Sequence, residues 1–141
     1  GIKHATNALY VVNNTILWDN RRGQEVAFVH VKTAPEGFTP VIRNNICIGT
    51  LRLTSSAKFE ESGNLIFQTA AEAGFVDPAQ YDYHLKAGSP GIDKGVEPGK
   101  FNDFSLAPQF QYVQPAKTEK RTAVGPLDVG AFEFAGAGAA K

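Results

Sequence analysis

The sequence predicts an all-β fold built from stacked parallel coils, and three observations support this prediction. Among 141 residues there are 14 glycines, 8 prolines and 10 phenylalanines, a composition typical of strands and turns. No window repeats apolar residues at helical spacing for three turns. An Asn-Asn pair flanked by short apolar runs occurs at residues 13–14 and returns at residues 44–45. Such a return is typical of a solenoid, in which one turn takes on the order of 20 residues.

The first coil is predicted from residues 8–18, which form two short apolar runs around the Asn-Asn corner. Asparagine suits this corner because its side chain bonds to nearby backbone and tolerates left-handed angles. The polar residues 19–24 are predicted to be a loop. Residues 26–32 are β-branched and aromatic and are predicted to be a strand. Residues 33–40 contain two prolines and a glycine and are predicted to be a second loop.

The second coil is predicted from residues 41–49, which repeat the first pattern, and residues 63–67 form a weaker third copy. Alignment on Asn14, Asn45 and Asn64 gives spacings of 31 and 19 residues, so the longer turn carries an extra loop. Stacked coils place equivalent residues above one another, and we expect these asparagines to form a hydrogen-bonded ladder. The alternative is that two similar turns arose independently in a β-sandwich.

Three columns of residues follow the ladder, and all three are largely apolar. They are Thr15, Ile46 and Leu65, then Ile16, Cys47 and Ile66, then Leu17, Ile48 and Phe67. A strand with one solvated face would alternate, so both faces of these strands need cover. We expect one face to line the interior of the solenoid and the other to be covered by the C-terminal residues.

The pattern changes at Phe75, so we divide the chain into terminal coils at residues 1–74 and a capping segment at residues 75–141. The capping segment is predicted to be irregular because prolines recur at positions 98, 108, 115 and 126. Residues 128–134 alternate and are predicted to be a short strand that packs on the coils. Phe132 and Phe134 are then buried, and Glu133 points outward or is capped by a donor.

Charge and cysteine content exclude several classes of function. Fourteen basic and fourteen acidic residues give a net charge near zero, so no global field favours nucleic acid or an acidic membrane. No apolar run approaches the ~18 residues of a membrane span. Cys47 is the only cysteine, which excludes an internal disulfide and a cysteine-based zinc site. Carboxylates never follow the spacing of a Ca²⁺ loop, so we expect no metal and no cofactor in this chain.

Two motifs occur in order in the capping segment: DYHLKAGSPGIDKG at residues 82–95 and DVGAFE at residues 128–133. They resemble the C-terminal end of secreted bacterial right-handed parallel β-helix proteins of the pectate-lyase-like group. The usual pattern of that group is D-Y-x-L-x-x-G-S-P-A-I-D-x-G, followed later by D-x-G-A-x-E. Gly91 stands where that pattern has alanine. These motifs are rich in serine, proline, aspartate and glycine, which are the residues that form turns. We therefore favour a structural role for Asp93, Asp128 and Glu133 over the alternative, a carboxylate cluster that binds a cation or acts in acid–base chemistry.

The resemblance implies a right-handed parallel β-helix and a secreted or extracellular location. The periplasm and the cell surface are the alternative locations. With no Met in the sequence, we expect the chain to be the last coils of a larger β-helix whose N-terminal part is its partner. The group contains polysaccharide lyases, glycoside hydrolases and proteins without known catalysis, so an enzymatic role stays open. The catalytic residues remain unidentified, and a Ca²⁺ ion, if used, is expected in the N-terminal part.

Basic and aromatic side chains are the candidates for binding an anionic sugar, since a lyase needs cations and a base around a uronate carboxylate. Phe28, His30 and Lys32 share one parity on the strand at residues 26–32, and Arg43 and Arg52 lie on later strands. Arg21 and Arg22 lie in the preceding loop. A solvated strand face carries such residues routinely, which is the alternative interpretation.

Two functions therefore remain open. In the first, the parent protein binds or degrades an extracellular polysaccharide, and this segment is mainly structural. In the second, the chain belongs to a non-catalytic structural or adhesive solenoid that assembles with other chains. Convergent basic and aromatic side chains would favour the first function.

Overall fold

The chain folds mainly into short strands, and the predicted all-β class is confirmed. The computed structural model describes residues 7–18 and 26–136, and these contain fourteen strands and one α-helix of four residues. The predicted loop at residues 19–24, with Arg21 and Arg22, lies outside the described residues. No helix in the described part of the chain is long and apolar enough to cross a membrane.

The N-terminal half forms three parallel sheets, each of which takes one strand from successive repeats. The first sheet contains β1 (Tyr10–Val12), β4 (Val41–Arg43) and β7 (Glu60–Ser62). The second contains β2 (Thr15–Leu17), β5 (Ile46–Ile48) and β8 (Leu65–Phe67). The third contains β3 (Ala27–Val29) and β6 (Arg52–Thr54), so the strand predicted at residues 26–32 is shorter than expected. Parallel pairing is not the pattern of an antiparallel sandwich.

The asparagine ladder is confirmed. The backbone N–H and side-chain amide of Asn14 donate to Oδ1 of Asn45 at 2.9 and 3.0 Å. The same two groups of Asn45 donate to Oδ1 of Asn64 at 3.0 and 2.9 Å. The strands that follow pair in the predicted register, with Thr15 beside Ile46 and Ile46 beside Leu65.

The residue before each ladder position turns the corner in the left-handed region. The φ angles of Asn13, Asn44 and Gly63 are 53, 56 and 65°. The third position needs glycine for a steric reason as well, because a Cβ there would lie 2.4 Å from Oδ1 of Asn44. The corner is therefore specified by small or amide residues that tolerate this conformation.

Two apolar clusters lie on opposite faces of β5, as predicted from the apolar columns. Cys47 packs with Ile42 of β4 and Leu53 of β6, so this cluster lies among the three parallel sheets. Ile46 and Ile48 point the other way. They pack against residues of the C-terminal half, namely Ala73, Phe75, Leu85 and Val129. Burial raises the pKa of the Cys47 thiol to about 12, so this thiol stays neutral and acts as a packing group.

The C-terminal half is more regular than predicted, because its strands pair locally into hairpins. Helix α1 (Ala70–Ala73) is followed by β9 (Phe75–Asp77), a 3₁₀ turn and β10 (Asp82–Leu85), and β9 and β10 are antiparallel. Two hairpins follow: β11 (Lys100–Phe101) with β12 (Phe104–Ser105), and β13 (Phe110–Val113) with β14 (Lys117–Lys120).

Residues 128–134 pack on the coils as predicted, but they do not form a strand. Their N–H groups do not bond to a single neighbouring strand. The N–H of Val129 donates to the Gly91 carbonyl, and the N–H of Gly130 donates to the Asn44 carbonyl. Phe132 is buried and Phe134 is half-buried. An outward Glu133 was one of two expectations and is wrong, because its carboxylate is buried at 2.9 Å from Nη2 of Arg121. The alternative, a donor that caps Glu133, is confirmed.

Candidate functional site

An open groove of about 400 Å³ lies beside the first parallel sheet. Ile42 of β4 points into the core, so Val41 and Arg43 point outward, as does Tyr10, which pairs with Val41. The opposite wall is the segment from Pro98 to Leu106, which includes the β11–β12 hairpin. A sheet and a distant hairpin thus share one concave surface.

Asn44 holds the hairpin segment against the sheet. Its side-chain amide donates to the Val96 carbonyl at 2.7 Å, and its Oδ1 accepts from the Val96 N–H at 2.9 Å. The Asn44 side chain is fully buried, so this pair of bonds is shielded from water. Gly99 then passes close to Arg43, since a Cβ at Gly99 would lie 3.1 Å from Nη1 of Arg43.

Arg43 is the main cation of the groove. Its Nη1 donates to the Pro98 carbonyl at 3.1 Å, and its Nη2 lies 3.6 Å from Oε2 of Glu60, a loose and exposed ion pair. The Nε atom is buried and has no hydrogen-bond partner among the described residues, so a ligand in the groove would meet the terminal nitrogens instead. These nitrogens are held by the Pro98 carbonyl and by the long contact to Glu60, and they keep N–H groups that can donate to an anion.

Lys100 adds a second cation, and Tyr10 and Phe101 add an aromatic wall. The two rings lie 5.5 Å apart at 51°, so each supports the orientation of the other. Among the described residues that line the groove, Glu60 is the only carboxylate. This arrangement can bind a ring with an apolar face and an anionic substituent, but it carries no pair of carboxylates for glycoside hydrolysis.

The other predicted site residues lie on the third parallel sheet. Phe28 is half-buried against Ile42, Cys47 and Leu53, so its ring does not join the exposed side chains of His30 and Lys32 in one surface. His30 and Lys32 are exposed after the end of β3. Arg52 is exposed on β6 beside Ala27. Of the five candidates, only Arg43 lines the groove.

Tyr10, Glu60, Lys100 and Phe101 were missed by the sequence analysis. Lys100 and Phe101 follow Pro98 and Gly99 in a stretch without a sequence repeat, so no pattern points to them. The available signal was Tyr10, whose position in the alternation of its strand predicts an outward side chain.

His84 and Asp82 form a second polar pair, outside the lining of the groove. Nδ1 of His84 lies 2.6 Å from Oδ1 of Asp82, and the imidazole contacts the Phe132 ring at an angle of 43°, with ring centroids 4.2 Å apart. The same Oδ1 also accepts from the His84 N–H at 3.1 Å, which is a local turn contact within β10. The pair therefore has a structural role in orienting the strand that covers Phe132.

The carboxylates of the second motif accept hydrogen bonds from protein donors, except that Oε1 of Glu133 is buried without a partner among the described residues. Asp128 accepts from the N–H groups of Asp93 and Phe134 at 2.7 and 2.6 Å. Arg121 donates to Glu133 and also to the carbonyls of Gly130 and Asp128. Within residues 7–18 and 26–136 no three acidic, histidine or cysteine side chains gather as metal ligands do. These contacts favour the structural interpretation of the motif.

No protein-family model, curated protein or solved structure matches this chain. The groove at Arg43, with its cations and aromatic wall, is consequently the basis on which a function is argued.

Proposed function

We propose that the chain forms the last coils and the lateral cap of a right-handed parallel β-helix in an extracellular protein that binds or degrades a polysaccharide. The observation that supports the β-helix is the in-register ladder of Asn14, Asn45 and Asn64. In addition, the first repeat and the second repeat each contribute one strand to every one of the three parallel sheets. Equivalent residues of successive coils coincide in this way when coils stack. The extracellular location is supported by the resemblance of residues 82–95 and 128–133 to secreted β-helix proteins.

Within the parent protein, this segment is mainly structural. The groove holds one carboxylate, Glu60, whereas glycoside hydrolysis uses two. The acidic residues of the C-terminal motif, Asp128 and Glu133, are buried and accept hydrogen bonds from Arg121 and from backbone N–H groups, although Oε1 of Glu133 has no partner among the described residues. If the parent is a lyase or a glycoside hydrolase, we place its catalytic residues and any Ca²⁺ ion in the N-terminal coils, which are the proposed partner.

The contribution of this segment to ligand binding is assigned to the groove. An acidic sugar would place its carboxylate near the guanidinium of Arg43 and the ammonium of Lys100, with a sugar ring against Tyr10 and Phe101. Arg43 suits this role because a guanidinium donates in a planar fork that matches a carboxylate. The long contact from Arg43 to Glu60 costs little to exchange for a ligand.

The test compares Arg43→Gln with Arg52→Gln, which removes a cation from an exposed position on another sheet. Calorimetric titration with hexagalacturonate should show Arg43→Gln weakening binding about 10- to 100-fold, the range expected for a hydrogen bond to a charged group. Arg52→Gln should change the Kd little. Equal losses in both variants, or no loss in Arg43→Gln, contradict the groove as the binding site.

The second function is a non-catalytic structural or adhesive solenoid, and the open edge of β1 and β2 favours it. Among the described residues, β1 pairs with β4 alone and β2 with β5 alone. Val11 and Ile16 of these strands are only half-buried. An edge of this kind is a surface on which another chain can add strands. Association with other chains without binding to any acidic or neutral glycan would favour this second function.

A further inference from the structure

The β13–β14 hairpin presents its two faces to different surroundings. Residues directly opposite in an antiparallel pair share a face, so Phe110, Tyr112, Thr118 and Lys120 lie on one face. Gln111 and Val113 lie on the other face, and both are half-buried. Oε1 of Gln111 accepts from the Glu133 N–H at 3.1 Å, and the Arg121 N–H donates to the Gln109 carbonyl at 2.9 Å. The hairpin is therefore attached to the body of the protein by one face and leaves the other free.

The free face carries two exposed aromatic rings. Phe110 is 64 % exposed and Tyr112 is 48 % exposed. They are two residues apart on one strand, so their Cα atoms are separated by about 6.8 Å. Two exposed rings on one face of a strand place apolar surface side by side, and exposed apolar patches rimmed by polar residues mark interaction sites.

The Tyr112 ring is held in position before any ligand arrives. Its hydroxyl oxygen accepts from the Ala116 N–H at 3.0 Å, across the turn of the hairpin. A ring fixed in this way loses little conformational entropy on binding. Its exposed face is then available for stacking, and a flat apolar surface is what the carbon face of a pyranose ring requires.

Charge indicates which sugars suit this face. Lys120 pairs directly with Phe110, so its ammonium lies on the aromatic face. Glu119 is on the opposite face, where its Oε1 accepts from the Gln111 side chain at 2.7 Å. The four residues of the free face thus carry one cation and no carboxylate, which favours a ligand with anionic groups.

We propose that Phe110, Tyr112, Thr118 and Lys120 form a stacking platform for an acidic polysaccharide, separate from the groove at Arg43. This inference rests on the proposed function in taking a polysaccharide as the ligand, and it adds a second contact surface. Two weak sites on one chain of sugars would raise the overall affinity through effective concentration, provided that one polysaccharide reaches both.

The test uses the full chain, with hexagalacturonate as the acidic probe and cellohexaose as the neutral probe. Removal of either ring, by Phe110→Ala or Tyr112→Ala, should weaken binding of hexagalacturonate about two- to tenfold. Lys120→Gln should weaken binding of hexagalacturonate and leave cellohexaose unaffected. Tyr81→Asn is the matched control, because Tyr81 is 69 % exposed, far from the hairpin in the sequence, and asparagine tolerates its left-handed φ of 62°.

NMR separates a folding defect from a binding defect. Amide shifts of Gln111 and Glu133 should remain native in the Tyr112→Ala variant if the anchored face is intact. In the unmodified chain, millimolar hexagalacturonate should shift signals of Phe110, Tyr112 and Lys120. No shift of these signals overturns the platform, and so does equal weakening in Tyr81→Asn.

The outcomes also separate the platform from the groove. If Arg43→Gln weakens binding and the hairpin variants do not, the platform is wrong and the proposed function stands. If the hairpin variants change sedimentation of the chain instead of its affinity for sugar, the face binds protein and the platform is again wrong. If neither probe binds the unmodified chain, both proposals fail.

Discussion

Asn45 occupies the centre of the ladder, where its side chain lies within hydrogen-bond distance of five groups, and the two N–H bonds of its amide are shared among three acceptors. Its side-chain amide donates to the carbonyls of Val11 and Arg43 and to Oδ1 of Asn64. Its Oδ1 accepts from both nitrogens of Asn14. The residue is fully buried, so no water replaces these partners. Loss of its amide would leave several buried acceptors without a donor, each at a cost of about 1–3 kcal/mol.

Asn45→Asp should therefore destabilise the protein by about 3–5 kcal/mol near neutral pH, because a carboxylate would face three oxygen acceptors in a buried site. Asn102→Asp is the control, since Asn102 is exposed in the turn between β11 and β12, lies outside the ladder and should lose less than about 1 kcal/mol. Urea unfolding measures both.

The pH dependence distinguishes charge from shape in the Asn45→Asp variant. Burial raises the pKa of the new carboxyl above its unfolded value of ~3.9, so its cost is smallest below that pH and grows as the pH rises through the folded pKa. A deficit that is independent of pH would show that the ladder requires the amide shape only, and would contradict the electrostatic explanation.

At the scale of elements, the segment at residues 128–134 acts as a lid without being a strand. Val129 packs in the same cluster as Ile46, and Phe132 is 7 % exposed. The buried pair of Arg121 and Glu133 fastens this segment, and Arg121 also donates to the carbonyls of Gly130 and Asp128. These three contacts from the Arg121 guanidinium determine the path of the backbone at residues 128–134, which has no β-ladder hydrogen bonds to do so.

Phe132→Ala should lower the free energy of unfolding by about 3–5 kcal/mol, because it deletes a buried ring that contacts His84. Phe104→Ala is the matched control: Phe104 is 72 % exposed and should change stability by less than about 0.5 kcal/mol. Chemical denaturation of both variants provides the measurement. Unchanged stability in Phe132→Ala, together with loss of sugar binding, would make the lid a functional element instead of a structural one.

At the scale of the whole molecule, the two outer edges of the parallel sheets differ. The interior column Val11, Ile42 and Glu61 begins with a half-buried valine and ends with an exposed carboxylate. The neighbouring column ends with Ile66, which is 46 % exposed, so the C-terminal half covers the side of the coils and not this end. A carboxylate in the column discourages further stacking, because a buried and unpaired charge is costly. At the other end of this column the described residue is Val11, which carries no charge.

We expect the isolated 141-residue chain to associate through the β1 and β2 edge instead of behaving as an independent monomer. Val11→Lys should abolish this association, whereas Glu61→Lys, at the opposite end of the same column, should not. Sedimentation velocity reports the association, and circular dichroism confirms that each variant is folded. A monomeric unmodified chain with a cooperative thermal transition would contradict this expectation.

The sequence by itself determined the repeat and its register. Asn14, Asn45 and Asn64 mark the same corner in three repeats. Their requirement is local, because each is an amide that follows a left-handed residue and bonds to its copy in the next repeat. The apolar columns follow from the same alignment. The need for a lid also followed, since both faces of β5 are apolar.

Only the tertiary structure decided which face the lid covers and where the groove lies. Arg43 and Lys100 converge because Asn44 binds the backbone of Val96, a contact between residues 52 positions apart that no local pattern records. The same holds for the hairpins, whose aromatic residues look alike in the sequence, although Phe101 supports Tyr10 and Phe110 faces solvent. Local backbone chemistry determines turns and register, whereas long-range packing determines which polar and aromatic side chains meet.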